Sequence, residues 1–193
     1  MTSAVSILSM KNKAMQLSVF IATSLDGFIA RKDGAIDWLT EADTPDENED
    51  FGYARFIATV DCMIMGRNTM EKVITFPEWS YEGMRVIVLS NTLTEVPKQL
   101  KGKIELYAGP LSELIKKLRA DGVQRAYVDG GKTIQNFLSE SLITDITINT
   151  IPVLLGEGLP LFGKVPRDIK LTHQKTVTYP IGFVMSTYTV QNS

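Results

Sequence analysis

The stretch Asp61-Cys62-Met63-Ile64-Met65-Gly66-Arg67-Asn68-Thr69-Met70 decides the fold. Cys62 to Met65 is a short apolar run that stops at Gly66, and Asn68 or Thr69 stands where a side-chain oxygen can cap a helix starting at Met70, Glu71 and Lys72. Strand, tight turn and helix thus follow one another directly. A glycine at the turn lets backbone approach a ligand, N–H groups at a helix start favour an anion, and Arg67 adds a formal positive charge beside them. The chemistry this suits is phosphate binding. Any α/β protein can carry Gly and Thr at such a junction, so the rest of the chain must decide.

Downstream the pattern returns. Arg125 to Asp129 reads as a strand ended by Gly130-Gly131, followed by a helix from Lys132 to Glu140 with Ile134, Phe137 and Leu138 on its apolar face. Between the two junctions lie the strand Arg85 to Leu89, stopped by Ser90-Asn91-Thr92, and a weaker strand from Ile104 to Tyr107. A helix with Leu111, Leu114, Ile115 and Leu118 on one face closes at Asp121-Gly122. Upstream, Gln16 to Ala22 is a nearly continuous apolar strand, as expected where both faces of a sheet are covered. A long irregular loop follows it, through Asp26-Gly27, Phe28-Ile29-Ala30, Asp33-Gly34 and Ile36 to Leu39; structured loops of this length tend to be functional. Thr40 to Glu49 is an acidic, polar connection, and Asp50 to Val60 carries apolar residues at helical spacing. Asp145 to Ile151 is a further strand, Pro152 to Phe162 a Gly/Pro-rich loop, and His173 to Thr178 and Phe183 to Val190 a pair that should run antiparallel. The expectation is one α/β domain over residues 16–193, with a mostly parallel central sheet flanked by helices and antiparallel C-terminal strands. Residues 1–15 read as a flexible leader.

Composition narrows the function. With 193 residues the chain can bury a real core, and a net charge of -2 gives no reason to expect nucleic acid or an anionic membrane as partner. Small molecules remain open. One cysteine, Cys62, excludes an internal disulfide framework and reads as a buried inert thiol; with one histidine besides, a Cys/His zinc site cannot be assembled. No segment approaches the apolar length of a membrane span, and the lysines of the N-terminal segment follow its short apolar patch instead of preceding it, the wrong order for a secretory signal. The expected location is the cytoplasm.

Three familiar motifs fail on inspection. Gly130-Gly131-Lys132-Thr133 is like the end of a P-loop, but the glycine required earlier falls on Ala126 inside a strand. Gly156-Glu157-Gly158 begins like a dinucleotide fingerprint, yet Leu159-Pro160 follows in place of a helix. There is no Gly-x-Ser-x-Gly elbow, and His173 lies in a late strand, where a structural or exposed imidazole is the plainer reading.

The spaced features together resemble the dihydrofolate reductase-like fold, and within it the reductase domain of bacterial riboflavin biosynthesis and its stand-alone relatives. The resemblance rests on Ser24 to Ala30 (Ser-Leu-Asp-Gly-Phe-Ile-Ala), Asp37-Trp38, Ile64 to Thr69, Val88 to Asn91, Asp129-Gly130-Gly131, and Pro152 to Phe162 (Pro-Val-Leu-Leu-Gly-Glu-Gly-Leu-Pro-Leu-Phe). The last of these looks like the riboflavin-type branch.

The resemblance implies NADPH as hydride donor, with Gly66, Arg67, Asn68, Thr69 and the Gly130, Gly131, Lys132, Thr133 junction at its phosphates, Ser90 and Asn91 near the adenosine, and Gly27, Ile29 and Ala22 along the rest of the cofactor. Arg67 could pair with a 2′-phosphate, as could Lys132. Ala22, Asp37 and Trp38 would face the substrate. The catalytic carboxylate that holds the heterocycle and relays the proton falls on Asp50 when counted back from Gly66 and on Asp43 when counted forward from Trp38; Asp50 is preferred because the helical pattern starts there. A plain helix N-terminal carboxylate remains the alternative for Asp50. The implied activity is that of a 5-amino-6-(5-phosphoribosylamino)uracil reductase, with dihydrofolate reduction or a non-catalytic nucleotide-binding role as alternatives, and relatives suggest a homodimer. No zinc deaminase segment is present, and no Lys/Arg cluster claims a substrate phosphate.

Overall fold

The computed structural model describes residues 14–40 and 49–191. Its main strands are β1 (Gln16–Ser24), β3 (Cys62–Gly66), β4 (Arg85–Leu89), β5 (Glu105–Tyr107), β6 (Arg125–Asp129), β7 (Asp145–Ile151), β9 (Leu171–Thr178) and β10 (Val184–Val190); a short pair, β2 (Phe28–Ala30) and β8 (Leu159–Pro160), forms a second sheet. The eight main strands are ordered β5-β4-β3-β6-β1-β7-β10-β9. From β5 to β7 every pairing is parallel, and β10 and β9 extend the sheet antiparallel, as the sequence predicts. Five α-helices accompany them among the described residues: α1 (Asp37–Thr40), α2 (Tyr53–Ile57), α3 (Arg67–Val73), α4 (Leu111–Ala120) and α5 (Gly131–Ser139).

The run Cys62 to Met65 shows why buried strands lack alternation. Cys62 and Ile64 pack in the layer that holds α4 and α5, whereas Met63 and Met65 pack in the layer that holds α2 and α3, and all four are fully buried. Each such side chain contributes roughly 1.5–3 kcal/mol by leaving water. Burial also pushes the Cys62 thiol up to about 12, which keeps it protonated and inert.

The structure corrects several boundaries. Met15 is buried in the core and Gln16 N–H donates to Gln124 O, so the ordered chain begins before residue 16; residues 1–13 lie outside the described residues. α2 starts at Tyr53, not at Asp50, because Phe51 and Gly52 adopt left-handed backbone conformations (φ 53° and 84°) that a helix cannot contain. α3 starts at Arg67, capped from Gly66 without a side-chain bond, so neither Asn68 nor Thr69 is the cap. The loop after β1 is partly regular, with β2 paired to β8 and Asp37 opening the single turn of α1. Among the described residues no helix is long and apolar enough to cross a membrane.

Candidate active site

The two glycine junctions meet. β3 and β6 are parallel neighbours with Met65 opposite Asp129, which sets Gly66 and Gly130 side by side at the C-terminal rim of the sheet. Their packing is reciprocal: a Cβ on Gly66 would come to 2.8 Å from Thr133 Oγ1, and one on Gly130 (φ 91°) would collide with Thr69 Oγ1. Each glycine is therefore required by the hydroxyl of the opposite helix start. Besides leaving room for a ligand, as the sequence suggests, the bare glycines allow two helix N-termini to converge. Of the two, α5 is the longer and its second turn is anchored by Ile134 and Phe137, both fully buried. Gly131 is pressed by the Ile29 side chain and by Pro160 O, so the β2/β8 pair lies against the start of α5.

The loop after β1 is stitched down. Asp26 accepts from Ser24 Oγ (2.6 Å), Gly156 N–H (2.7 Å) and Leu155 N–H (3.2 Å), joining the Gly27 turn to the Gly/Pro-rich segment. The Ser24 hydroxyl, followed by these backbone donors, holds the Asp26 carboxyl below its ordinary range. Gly27 itself takes φ 84° with open space where a Cβ would sit, and its carbonyl accepts from Leu161 N–H.

Arg67 lies at the neighbouring strand end. Gly66 is paired with Leu89, which brings Arg67 beside the Ser90-Asn91-Thr92 turn. Its Nη1 donates to Thr92 Oγ1 (3.0 Å) and its Nε lies 3.2 Å from Glu71 Oε1, while Ser90 Oγ accepts from the N–H groups of Thr92 and Leu93. Arg67, Asn68, Asn91 and Lys132 are all exposed. The rim is thus open to solvent where cations and backbone N–H groups gather.

Next to it a cleft of about 250 Å³ opens between the ends of β1 and β7 and the start of α2. Its floor is Phe20, Ile21 and Ala22 of β1, with Ala22 in register with Asn149 of β7; its walls include Leu39, Phe51, Tyr53, Tyr127, Ile151 and Phe183. Asp50 stands on the lining with both carboxylate oxygens accepting backbone bonds, Oδ1 from Gly52 N–H (2.9 Å) and Oδ2 from Ala54 N–H (2.6 Å). It therefore acts as the helix-start carboxylate and as a cleft residue at once. Two buried polar atoms have no protein partner among the described residues: Asn149 Oδ1, in a residue only 5% exposed, and Trp38 Nε1, in a residue 9% exposed. An unpaired buried polar atom costs about 1–3 kcal/mol, and a ligand hydrogen bond would remove that cost at Asn149, which lines the cleft. Trp38 packs with Ile151 and Phe183 behind the wall.

The sequence-predicted residues fall into groups. Gly66, Arg67, Thr69, Ser90, Gly130, Gly131 and Thr133 are gathered on the rim, and Ala22 and Asp50 reach the cleft. Asp37 does not: it faces Arg31 in a bidentate pair (2.7 Å) that holds its carboxyl below the ordinary range, away from the cleft lining. Asp43 lies outside the described residues. Sequence reasoning passed over Asn149, Tyr53, Phe51, Tyr127 and Phe183 as site residues. A polar residue on the buried side of an alternating strand was the available signal for Asn149.

The Asp129 side chain was also missed. Burial pushes its carboxyl up to about 6, against the opposing pull of the Gly130 N–H. The Tyr127 hydroxyl donates to Phe20 O (2.8 Å), and Tyr53 is hydrogen-bonded to Tyr81, with burial raising all three phenols. Of these groups Tyr53 and Tyr127 line the cleft, and Asp129 interacts electrostatically with both.

Comparison with known proteins agrees with this architecture. The family model of the RibD C-terminal domain matches residues 16–185. The Bacillus subtilis (strain 168) protein YwjB is 34% identical over 155 residues, covering 79% of this chain and 86% of its own. A crystal structure of a Shewanella sp. PV-4 protein, assigned provisionally to riboflavin biosynthesis, superposes with a TM-score of 0.87 at 43% identity, covering 92% of this chain and 99% of that one. A dihydrofolate reductase from Enterococcus faecalis, solved with NADP(H), shares the fold at a TM-score of 0.64 and 15% identity, covering 91% of this chain and 96% of its own.

Proposed function

The chain belongs to the RibD C-terminal domain family, a family of reductases, and on that premise we propose that it is an NADPH-dependent reductase of a small heterocycle. The observation that carries this reading is the placement of the glycine rim and the aromatic cleft along one sheet edge, with the small Ala22 in the cleft floor. NADPH, when bound, supplies a hydride to an electrophilic C=N or C=O carbon.

The residues fit such a cofactor. Gly66, Asn68 and Thr69 at the start of α3 and Gly130, Gly131, Lys132 and Thr133 at the start of α5 would hold the diphosphate. Ser90 and Asn91 would border the adenosine, with Arg67 on the 2′-phosphate. Gly27 and Ile29 would flank the nicotinamide half, and Ala22 leaves room above the β1 backbone for the ring.

On the substrate side the protein's own groups divide the work. Asp50 offers acceptor lone pairs beyond its two backbone bonds and holds an N–H edge of the ring. Asn149 Oδ1 accepts a second donor. The same Asp50 relays the proton that the reduced heteroatom must gain, with Asp129 coupled electrostatically to the lining phenols Tyr53 and Tyr127 behind it. The ring-opened ribose imine of 5-amino-6-(5-phosphoribosylamino)uracil and the C=N of a dihydropterin are the acceptors to try first.

Titration of NADPH and NADH, followed by NADPH consumption across pyrimidine and pteridine substrates, tests the proposal. Binding of neither cofactor would sink it. Asp50→Asn should cut turnover of the cognate substrate while leaving NADPH affinity within about twofold, since its oxygens lie outside the glycine rim. We further propose that a second copy of the chain covers the exposed edge strand β9. A monomeric mass by light scattering at micromolar concentration would reject that dimer.

A further inference from the structure

Resting on the reading of the cleft as the substrate site, we infer that Asn149 is a specificity-determining residue: its buried amide oxygen requires one neutral N–H, an amino or ring imino group, from the heterocycle that is reduced. Strand β7 alternates in chemistry as it alternates in direction. Ile146 and Ile148 pack in the layer that holds α4 and α5, so Asp145, Thr147 and Asn149 turn to the opposite face. The first two of these polar residues are satisfied within the protein. Asp145 accepts from Ser18 Oγ (2.8 Å) and Arg125 Nη2 (2.9 Å), and Thr147 Oγ1 lies 3.1 Å from Thr187 Oγ1. Asn149 is the third, at the cleft; it is 5% exposed, and its Oδ1 has no partner among the described residues.

Register explains the difference. Asn149 stands between Ala22 of β1 and Met185 of β10, and neither a methyl group nor a thioether sulfur has a hydrogen to donate. The polar groups that share the lining are otherwise engaged: Tyr127 donates to Phe20 O, Tyr53 is bonded to Tyr81, and Asp50 is itself an acceptor. The amide is neutral, so its partner needs no formal charge. An N–H serves, whereas a methyl or carbonyl group in the same place leaves the oxygen bare.

Position assigns that N–H to the substrate and not to the cofactor. The glycine junctions follow β3 and β6, and β1 separates β6 from β7, so Asn149 lies across Ala22 from them. The turn that carries Asp50 stands over the same side: a Cβ on Gly52 would lie 3.5 Å from the sulfur of Met185, the residue opposite Asn149. Asp50 and Asn149 thus share one end of the cleft, one as a charged acceptor and one as a neutral acceptor.

Ligand-observed NMR titration of the full chain tests the inference with two isosteric pairs. These are 6-aminouracil with 6-methyluracil, and pterin with the analogue that carries methyl in place of its 2-amino group. In at least one pair the amino member should bind wild type roughly tenfold tighter or more, and Asn149→Leu should shrink that ratio to about threefold or less while NADPH affinity stays within about twofold. The ligand-free leucine variant should also show a higher urea midpoint, because an unpaired buried oxygen gives way to a side chain of similar size that needs no partner; an asparagine kept for structure would lower it. Asn149→Thr, whose hydroxyl can accept or donate and whose branched side chain suits a strand, should give an intermediate ratio and keeps the test decisive if the leucine variant does not fold. Unchanged ratios in the variants, tighter binding of the methyl members, or no binding of either amino compound overturns the inference. A tenfold loss of NADPH affinity with the ratio intact gives the oxygen to the cofactor and overturns it as well. Because the ratio is read without NADPH, failure of wild type to bind either cofactor remains a separate result.

Discussion

At the N-terminal rim of the sheet, Arg125 donates to Ser18 (2.8 Å), Thr59 (2.8 Å) and Asp145 (2.9 Å), and Arg85 bridges Glu105 (2.7 Å) and Asp121 (2.8 Å). Asp61 there accepts the backbone N–H groups of Gln124 and Arg125. The C-terminal rim of the same strands ends in Gly66, Ser90 and Gly130, and Asp129 has no ion-pair partner among the described residues. One rim has its charges matched within the protein; the other carries two helix starts, a carboxyl without an ion-pair partner among the described residues and, in the adjoining cleft, an orphan amide oxygen. The difference teaches where stability and function are separated: a matched rim holds the strands in register, and an unmatched rim can be completed by a ligand.

The sharpest way to break this comparison is Arg125→Ala. Removing one partner strands the largely buried Asp145 (side chain 17% exposed), so stability should fall by about 3 kcal/mol or more in urea denaturation while NADPH affinity per folded molecule stays unchanged. A large loss of NADPH affinity would mean that the two rims are not separable. Gly130→Ala should do the reverse in kind. Its φ of 91° and the Thr69 hydroxyl oppose any Cβ, which costs on the order of 1–3 kcal/mol and should weaken NADPH more than tenfold in a fluorescence titration. The double variant Gly130→Ala, Thr69→Ala relieves the collision and should recover part of both effects.

Arg67→Ala sharpens the comparison at the cationic part of the open rim. Loss of a charge-assisted contact to a 2′-phosphate is worth about 1.5–3 kcal/mol, so NADPH affinity should drop roughly 10- to 100-fold and NADH affinity hardly at all. Equal losses for both cofactors would remove Arg67 from the 2′-phosphate.

Asp129→Asn has the clearest pH signature. The folded carboxyl titrates near 6 against 3.8 for the free group, so the native state holds the extra proton between those values. Its stabilising contribution is complete below the lower value and is lost as pH rises through the upper one. The variant should therefore be more stable than wild type at pH 8 by on the order of 1–3 kcal/mol, with the gap closing toward pH 4. Turnover that declines above pH 6 in wild type should lose that limb in the variant. A pH-independent stability gap would show that Asp129 is not the buried acid.

Much of the molecule could be read from its order of residues. The strand, glycine and helix junctions after Met65 and Asp129 were legible because each is a local feature, with apolar run, breaker and amphipathic helix written consecutively. The left-handed pair Phe51-Gly52 was not, and so α2 was started too early. Helical spacing from Phe51 onward looks the same whether or not those residues are helical, since Phe51 buries its ring against Tyr179 and Phe183 instead of the α2 stripe.

The sequence by itself determined the mostly parallel sheet with its antiparallel C-terminal strands and the two glycine junctions. These depend on composition and short-range periodicity. Only the tertiary structure decided that Gly66 and Gly130 are bracketed by each other's threonines, that Asp37 is spent on Arg31 while Asp50 reaches the cleft, and that Asn149 lies in it with an unmatched amide oxygen. Such facts arise where strands far apart in the chain become neighbours. Burial and the lack of a partner are properties of that neighbourhood, and no stretch of sequence contains them.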